Sequence, residues 1–484
     1  MQIRTILRLL GIFLMIFSAS MLTPILINYL FKEDFWFPFV SASVFTFLSG
    51  FILWFTCRKS HQELKTRDGF LIVVLFWFVL CCFAALPFIF AIGGERYNFV
   101  DALFESVSGF TTTGASIFTH LDDLPHSILF YRQQLQFLGG MGIVVLAVAI
   151  LPMLGVGGMQ LYRAETPGPM KESKLTPRIA QTAKALWILY LLLTLLCAFC
   201  YWLAGMDWFD ALGESFSTVS TGGFSMHDDS FAYYKSNTIE LLACFFMLVG
   251  GTNFALHFMA FRIKNLKVYW QDEEFRVYLG FLFVSVVIVM IYLLLYGYFD
   301  KGPKALVKSL FNVVSLATTT GFLSAPFSEW PTFIPVLITF LALIGGCAAS
   351  TSGGIKVMRA LLIFKQSQRE MTRLIHPNAV VNVKFGNYTL PDSVLQSMWG
   401  FISVFIALFI GLLLIFIALG NELDTSLALV TATLANAGAG IGAISQNFAK
   451  LSDASKWVCV FAMVAGRLEI FSLIVLFAPG FWRK

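Results

Sequence analysis

The chain has 484 residues, of which 58% are hydrophobic and 13% charged, with a formal net charge of +5. A soluble domain carries about 25% charged residues, so this much apolar surface excludes a soluble core. The basic excess follows the loops rather than forming one patch, which excludes nucleic acid as the partner that the charge serves.

A bilayer core needs about 20 apolar residues per helix. Runs of that kind cover 6–30, 37–55, 70–92, 186–203, 278–298 and 401–419. Arg4 and Arg8, followed by an apolar run through Ser18-Ala19-Ser20, resemble a signal peptide. Because the run stays apolar to Leu30, it is read as a retained first helix. Cys197 and Cys200 share a helix face; with no second pair and no nearby histidine they read as small packing residues.

Basic clusters punctuate the apolar runs. They fall at Arg58, Lys59, Lys65 and Arg67; at Arg163, Lys171, Lys174, Arg178 and Lys184; at Arg262, Lys264 and Lys267; at Arg359, Lys365, Arg369 and Arg373; and at Arg483-Lys484. Lys and Arg stay on the cytoplasmic side, so the chain leaves and returns between clusters. The expectation is ten spans with both termini cytoplasmic. The opposite loops carry Asp122, Asp123, Asp228, Asp229 and Glu329. Two readings of these acids are open: enrichment of cations at a pore mouth, or ordinary solvated loop charge.

Between each later pair of spans lies a polar stretch, and the four stretches align without gaps. They are DALFESVSGFTTTG from Asp101, DALGESFSTVSTGG from Asp210, KSLFNVVSLATTTG from Lys308 and TSLALVTATLANAG from Thr425. The third position is always leucine (Leu103, Leu212, Leu310, Leu427). The eighth is always small (Ser108, Ser217, Ser315, Ala432). Pairs of small residues follow 24 to 27 positions after each final glycine, at Gly139-Gly140, Gly250-Gly251, Gly345-Gly346 and Ala465-Gly466. Helix packing explains these pairs as well as a functional role does.

Asp101, Asp210 and Thr425 are good N-cap residues; Lys308 breaks the pattern, with Pro303 nearby to open that helix. About ten residues separate cap from hydroxyl cluster, roughly 15 Å of helix and half a bilayer. These are therefore read as half-depth helices that return by an extended strand. Irregular backbone at membrane depth is tolerated only where protein or a water-filled cavity surrounds it. Four such segments around one axis form a ring whose carbonyls can replace a cation's hydration shell. Glycine tolerates the positive φ that lets neighbouring carbonyls face one way. Threonine hydroxyls either add ligands or hold the strand in shape.

On these four segments the chain resembles the Trk/Ktr/HKT superfamily of potassium transporters, most closely its bacterial TrkH/TrkG branch. The resemblance implies an all-α polytopic membrane protein: four covalently linked helix–pore loop–helix repeats around one pseudo-fourfold pore, plus two N-terminal helices. The units are 1–67 (leading helices), 68–184, 185–275, 276–390 and 391–484. The implied potassium-binding residues are Thr111, Thr112, Thr113 and Gly114; Ser220, Thr221, Gly222 and Gly223; Thr318, Thr319, Thr320 and Gly321; and Asn436, Ala437 and Gly438. Glycine in all four loops matches the potassium-selective pattern, whereas serine in the first would suggest sodium. The fourth loop has fewer hydroxyls, so the ring is not fourfold equivalent.

The apolar stretch 333–344 is interrupted by GGCAASTSGG at 345–354 and resumes at 355–364. By resemblance this is an intramembrane loop that closes the pore, with Gly345, Gly346, Ser350, Thr351, Ser352, Gly353 and Gly354 as gate residues. Arg467, inside the apolar segment 460–477, maps onto the family's positive barrier below the filter. An arginine at such depth is a functional hypothesis by default; the alternative is a structural pair with Glu469 or with carbonyls, including those of 345–354. His257 reads as a core or interfacial histidine. Resemblance further implies potassium uptake across the bacterial inner membrane, a homodimer, and a TrkA-like nucleotide-binding regulatory subunit in the cytosol. That subunit would dock near 365–395, where a small hairpin is expected. Conduction and symport with H+ or Na+ remain open alternatives. No cofactor is expected on this chain, only K+ as cargo. An enzyme is disfavoured: no paired intramembrane carboxylates, metal-ligand spacing or nucleophile–base constellation stands out.

Overall fold

The structure, a computed structural model, describes residues 2–59, 66–91, 97–145, 175–299, 302–386 and 388–483. Lys65, Arg163, Lys171, Lys174 and Lys484 of the basic clusters lie outside the described residues. Helices α1 (Ile3–Ser20), α2 (Thr23–Leu30) and α3 (Phe37–Cys57) lead the chain. Gly11 and Gly50 seat α1 on α3: a Cβ on either would fall 2.6–2.7 Å from the other's carbonyl oxygen.

Four units follow. The first has α4 (Thr66–Ala84) and α5 (Leu86–Ala91), the half-depth helix α6 (Phe99–Phe110), and α7 (His126–Val145). The second has α8 (Leu175–Leu203), half-depth α9 (Trp208–Val219), then α10 (Asn237–Gly250) and α11 (Phe254–Ile263), with short α12 (Lys267–Gln271) behind it. The third has α13 (Glu273–Leu295), half-depth α14 (Gly302–Ala317), then α15 (Phe333–Ile344) and α16 (Val357–Ile375). A two-stranded hairpin, β1 (Lys384–Phe385) and β2 (Tyr388–Thr389), comes next, where one was expected. The fourth has α17 (Asp392–Ala418), half-depth α18 (Leu423–Leu434), then α19 (Asp453–Arg467) and α20 (Phe471–Ile474), before terminal α21 (Pro479–Trp482).

Among the described residues, six helices are long and apolar enough to cross a membrane, or eight if two bent pairs are each one span. That is fewer than the expected ten: α7, which carries Arg132, Gln133, Gln134 and Gln136, and α15, which stops after 12 residues, are not among them. The bends correct the sequence reading. A break was expected only in the third unit, yet α10 and α11 turn by 93° and α19 and α20 by 106°. The segment 460–477 is thus no continuous span: it breaks directly after Arg467, with Glu469 and Ile470 at φ 53° and 54°.

Helix starts are corrected as well. The N-caps are Asn98, Asp207 and Glu422, three residues before Asp101, Asp210 and Thr425. Asp101 stands instead at the third helical position and completes a capping box with Asn98. An acid in the first turn also faces the positive end of the helix dipole. The Lys308 helix opens at Gly302 with Pro303 next, as expected.

The odd Lys308 has a packing reason. Lys456, four residues after the serine N-cap of α19, pairs with Asp101 at 2.6 Å. Glu240, four residues after the serine N-cap of α10, pairs with Lys308 at 2.6 Å. The two junctions are equivalent with their charges reversed. Removing Lys308 strands the buried Glu240 carboxylate, at a cost of about 3 kcal/mol. Lys308→Asp is therefore expected to lower the melting temperature of the detergent-purified protein sharply. Lys308→Asp with Glu240→Lys recovers most of the loss. A double variant no better than the single would show that the pairing carries no stability.

Candidate ion-conduction site

All four half-depth helices end alike. In each, a residue in the left-handed region follows the C-cap: Thr112 (φ 49°), Thr221 (φ 50°), Thr319 (φ 56°) and Asn436 (φ 52°). The next amide reaches back to the eighth position of the repeat: Thr113 to Ser108, Gly222 to Ser217 and Thr320 to Ser315 at 2.8 Å, and Ala437 to Ala432 at 2.9 Å. This is a Schellman closure, with the small eighth residue as its acceptor. The left-handed position normally belongs to glycine; a β-branched residue there is an outlier, which is why sequence reasoning placed positive φ only at the aligned glycines.

Those glycines have positive φ too: 82° at Gly114, 85° at Gly223, 88° at Gly321 and 67° at Gly438. They touch in a closed cycle. A Cβ on Gly114 would lie 2.2 Å from the Gly222 oxygen, and one on Gly223 1.9 Å from the Thr320 oxygen. One on Gly321 would lie 2.3 Å from the Ala437 oxygen, and one on Gly438 2.1 Å from the Thr113 oxygen. Each glycine thus abuts the residue before the glycine of the next loop, and the fourth loop returns to the first. The small-residue pairs support the same ring from behind. Gly139, Gly250 and Gly466 sit against the carbonyls of Phe110, Val219 and Leu434, the last helical residues of α6, α9 and α18.

The hydroxyls mainly hold the loops in shape. Thr111 and Thr113 bond each other at 2.8 Å, as do Thr318 and Thr320. Thr111 and Thr318 also donate to the Val107 and Val314 carbonyls, and Ser220 donates to the Ser217 carbonyl. Two α7 glutamines missed in the sequence clamp the second loop: Gln136 Nε2 donates to the Gly222 oxygen at 2.8 Å and Gln133 Nε2 to the Phe224 oxygen at 2.9 Å. Also missed was the buried pair of Glu105 and Arg132 at 2.8 Å. Glu105 accepts the Ile117 amide, and Arg132 reaches the Ser225 oxygen, so the pair ties the first loop to the second. Arg132, alone among the residues of α7 in carrying an Asp, Glu, Lys or Arg charge, was the available signal.

One side of the ring opens into a cavity of about 790 Å³ lined by all four glycines and by Asp228, Asp229 and Glu329. Asp122 and Asp123 do not line it. Asp122 instead bonds His227 at 2.5 Å, and Asp210 bonds the other ring nitrogen at 3.0 Å. Burial opposes a charge on His227, but the hydrogen bonds to Asp210 and Asp122 outweigh it and hold its pKa up at about 9. The imidazolium therefore offsets Asp122, leaving the other three acids to face the cavity.

On the other side lies the interruption 345–354, which is buried from Cys347 to Ser352 apart from partly buried Ala348. It is seated on the break between α10 and α11: Cys347 N donates to the Gly251 oxygen at 2.8 Å and Phe254 N to the Ala349 oxygen at 3.1 Å. Gly345 and Gly354 both have φ 76°, and a Cβ on Gly345 would lie 2.2 Å from the Gly353 oxygen. Gly346 abuts the Gly251 oxygen, Ser350 donates to the Cys347 carbonyl, and Lys356 Nζ donates to the Ser352 carbonyl.

The interruption touches three of the four loop ends directly and reaches the first through Arg467. Thr221 Oγ1 donates to Thr351 Oγ1 at 3.1 Å, Gly353 N donates to Thr319 Oγ1 at 2.6 Å, and Gly353 packs against the Ala435 oxygen. Arg467 completes the set: its Nη2 donates to the Thr351 oxygen at 2.7 Å and to Thr112 Oγ1. Glu469 is not its partner, because that carboxylate takes Arg359 at 2.5 Å. Three of the four left-handed residues are thus held by the interruption or by Arg467, and the fourth, Asn436, donates to Thr113 Oγ1 and the Met463 oxygen. His257 is a satisfied core histidine between Tyr269 and the Val249 carbonyl.

The family described as TrkH, cation transport protein, matches residues 37–484. The chain is 49% identical to the Trk system potassium uptake protein TrkH of Escherichia coli (strain K12) and 51% identical to that of Halomonas elongata, with both chains covered in full. It is 39% identical to the Trk system potassium uptake protein TrkG of Escherichia coli (strain K12), over 100% of this chain and 99% of TrkG. The crystal structure of the potassium transporter TrkH from Vibrio parahaemolyticus superposes with a TM-score of 0.93 at 45% identity, covering 100% of both chains. With agreement along its whole length in sequence and fold, the chain belongs to the TrkH family of cation transport proteins, a transport family rather than one of enzymes.

Proposed function

We propose that this chain takes up potassium selectively across the bacterial inner membrane through one carbonyl-lined pore formed by its four loops. The observation that carries the reading is the closed cycle in which each aligned glycine meets the carbonyl before the next. The relatives named as potassium uptake proteins support the choice of ion. In this reading the units are 1–67, 68–184, 185–275, 276–390 and 391–484, and both termini are cytoplasmic.

A cation collects in the acidic cavity, sheds water and exchanges it for loop carbonyls. Four helix C-termini turned toward the path favour positive charge there. The 345–354 segment closes the path below the ring, and Arg467 sets a positive charge beside it. A TrkA-like cytosolic subunit docking near 365–395 governs opening, and the protein works as a homodimer.

The test is flux through the purified protein in liposomes, comparing rubidium with sodium. Rubidium should pass far faster, and deleting 348–352 should raise rubidium flux. Equal fluxes for the two ions would sink the selective-pore reading. A fall in flux with assembled, monodisperse protein would make the loop a required conduit and not a gate.

A further inference from the structure

Two adjacent carboxylates open α13 behind its N-cap Asp272. Glu274 is 2% exposed and accepts the amide of Ala348 at 2.6 Å and that of Met358 at 3.1 Å. One amide lies inside the interruption and the other in the first turn of α16 beyond it, so one carboxyl group ties the interruption to the helix that follows. Glu273 serves the neighbouring element. It accepts the Gly386 amide, in the hairpin turn, at 2.7 Å and pairs with Lys365 of α16. Lys365 also donates to the Lys384 carbonyl of β1 at 2.8 Å. Below them the hairpin's Val383 and Phe385 share a small core with Met358 and Leu362, and Ala348 packs on it.

We propose that Glu273 and Glu274 link the hairpin to the interruption, so that the hairpin's position sets how firmly the path is closed. This rests on reading the interruption as a gate. Both amides donate to one Glu274 oxygen, and a buried acceptor that loses its donors is left unsatisfied. Closure is thus favoured while both amides sit on Glu274. Consecutive positions on one helix end cannot move independently, so a shift of the hairpin at Glu273 is felt at Glu274. The linkage belongs to the closing machinery and not to the ion path, which separates its signature from that of the ring.

The test is single-channel recording of the full chain in planar bilayers. Glu274→Ala is expected to raise open occupancy about tenfold, the cost of leaving a buried amide without its acceptor, with unitary conductance and the rubidium-to-sodium ratio unchanged. Glu274→Gln should restore closure largely, because its amide oxygen still accepts both N–H groups. Lys365→Met, at a partly exposed pair, should raise occupancy by a smaller factor. Parental occupancy in assembled Glu274→Ala overturns the linkage, and so does a changed ion ratio. Parental occupancy in Lys365→Met removes the hairpin from it. The deletion of 348–352 is run alongside: if it raises occupancy and Glu274→Ala does not, the linkage falls and the gate stands; if neither does, both fall.

Discussion

Gly114→Ser raises sodium flux relative to rubidium by about tenfold, a shift of about 1.4 kcal/mol between the two ions. Two effects combine. Gly114 has φ 82°, and a residue with a Cβ in that region costs about 1–2 kcal/mol. The new Cβ would also fall 2.2 Å from the Gly222 oxygen. That oxygen cannot simply retreat, because Gln136 already holds it at 2.8 Å. One of the carbonyls around the path is displaced, and an ion that needs all of them loses most. Gly205→Ala is the control: its φ is 100°, yet nothing lies within 4 Å of the added Cβ. It should lower stability slightly and leave the ion ratio alone. An unchanged ratio in folded Gly114→Ser would take Gly114 out of the ion path.

Arg467→Ala increases rubidium flux several-fold. At about 4 Å and an effective dielectric near 20, repulsion between like unit charges is on the order of 4 kcal/mol, and water in an open path reduces it. The charge is positioned by the Thr351 carbonyl and Thr112 Oγ1, so alanine removes the barrier and the tie between ring and interruption together. Arg467→Lys keeps the charge and should change flux less. Size-exclusion profiles must show equal assembly. A well-assembled alanine variant that conducts no better than the parent would leave Arg467 as a clamp alone.

The spans, the repeat, the hairpin and the interruption were legible because each is written in local pattern: apolar length, register of small residues, glycine density. What escaped depends on distant contacts. Thr112, Thr221 and Thr319 take a conformation that their own side chains disfavour, and partners from the third and fourth units help hold all three there. The bend after Arg467 is made by Glu469 and Ile470 at positive φ, and neither residue type announces a turn; Gly466 beside it reads as a packing residue. Asp101 looked like a cap because an acid serves either at the cap or three residues inside, and only the capping box with Asn98 distinguishes the two. Glu274 and Gln136 gave no sign, since a carboxylate or an amide at a helix face becomes a brace only when a foreign loop arrives.

The reversed pairs Lys456–Asp101 and Glu240–Lys308 constrain the route by which four copies of one unit came to differ. A buried pair cannot exchange its signs one residue at a time without passing through two like charges in contact, a state costly enough to unfold the junction. A version with no charge at the first repeat position avoids that state. Such a version exists in the same molecule: Thr425 occupies that position in the fourth unit, where its hydroxyl merely accepts the Ala443 amide at 3.2 Å. The four junctions are thus four separate addresses, and a unit copied over another would arrive with the wrong one.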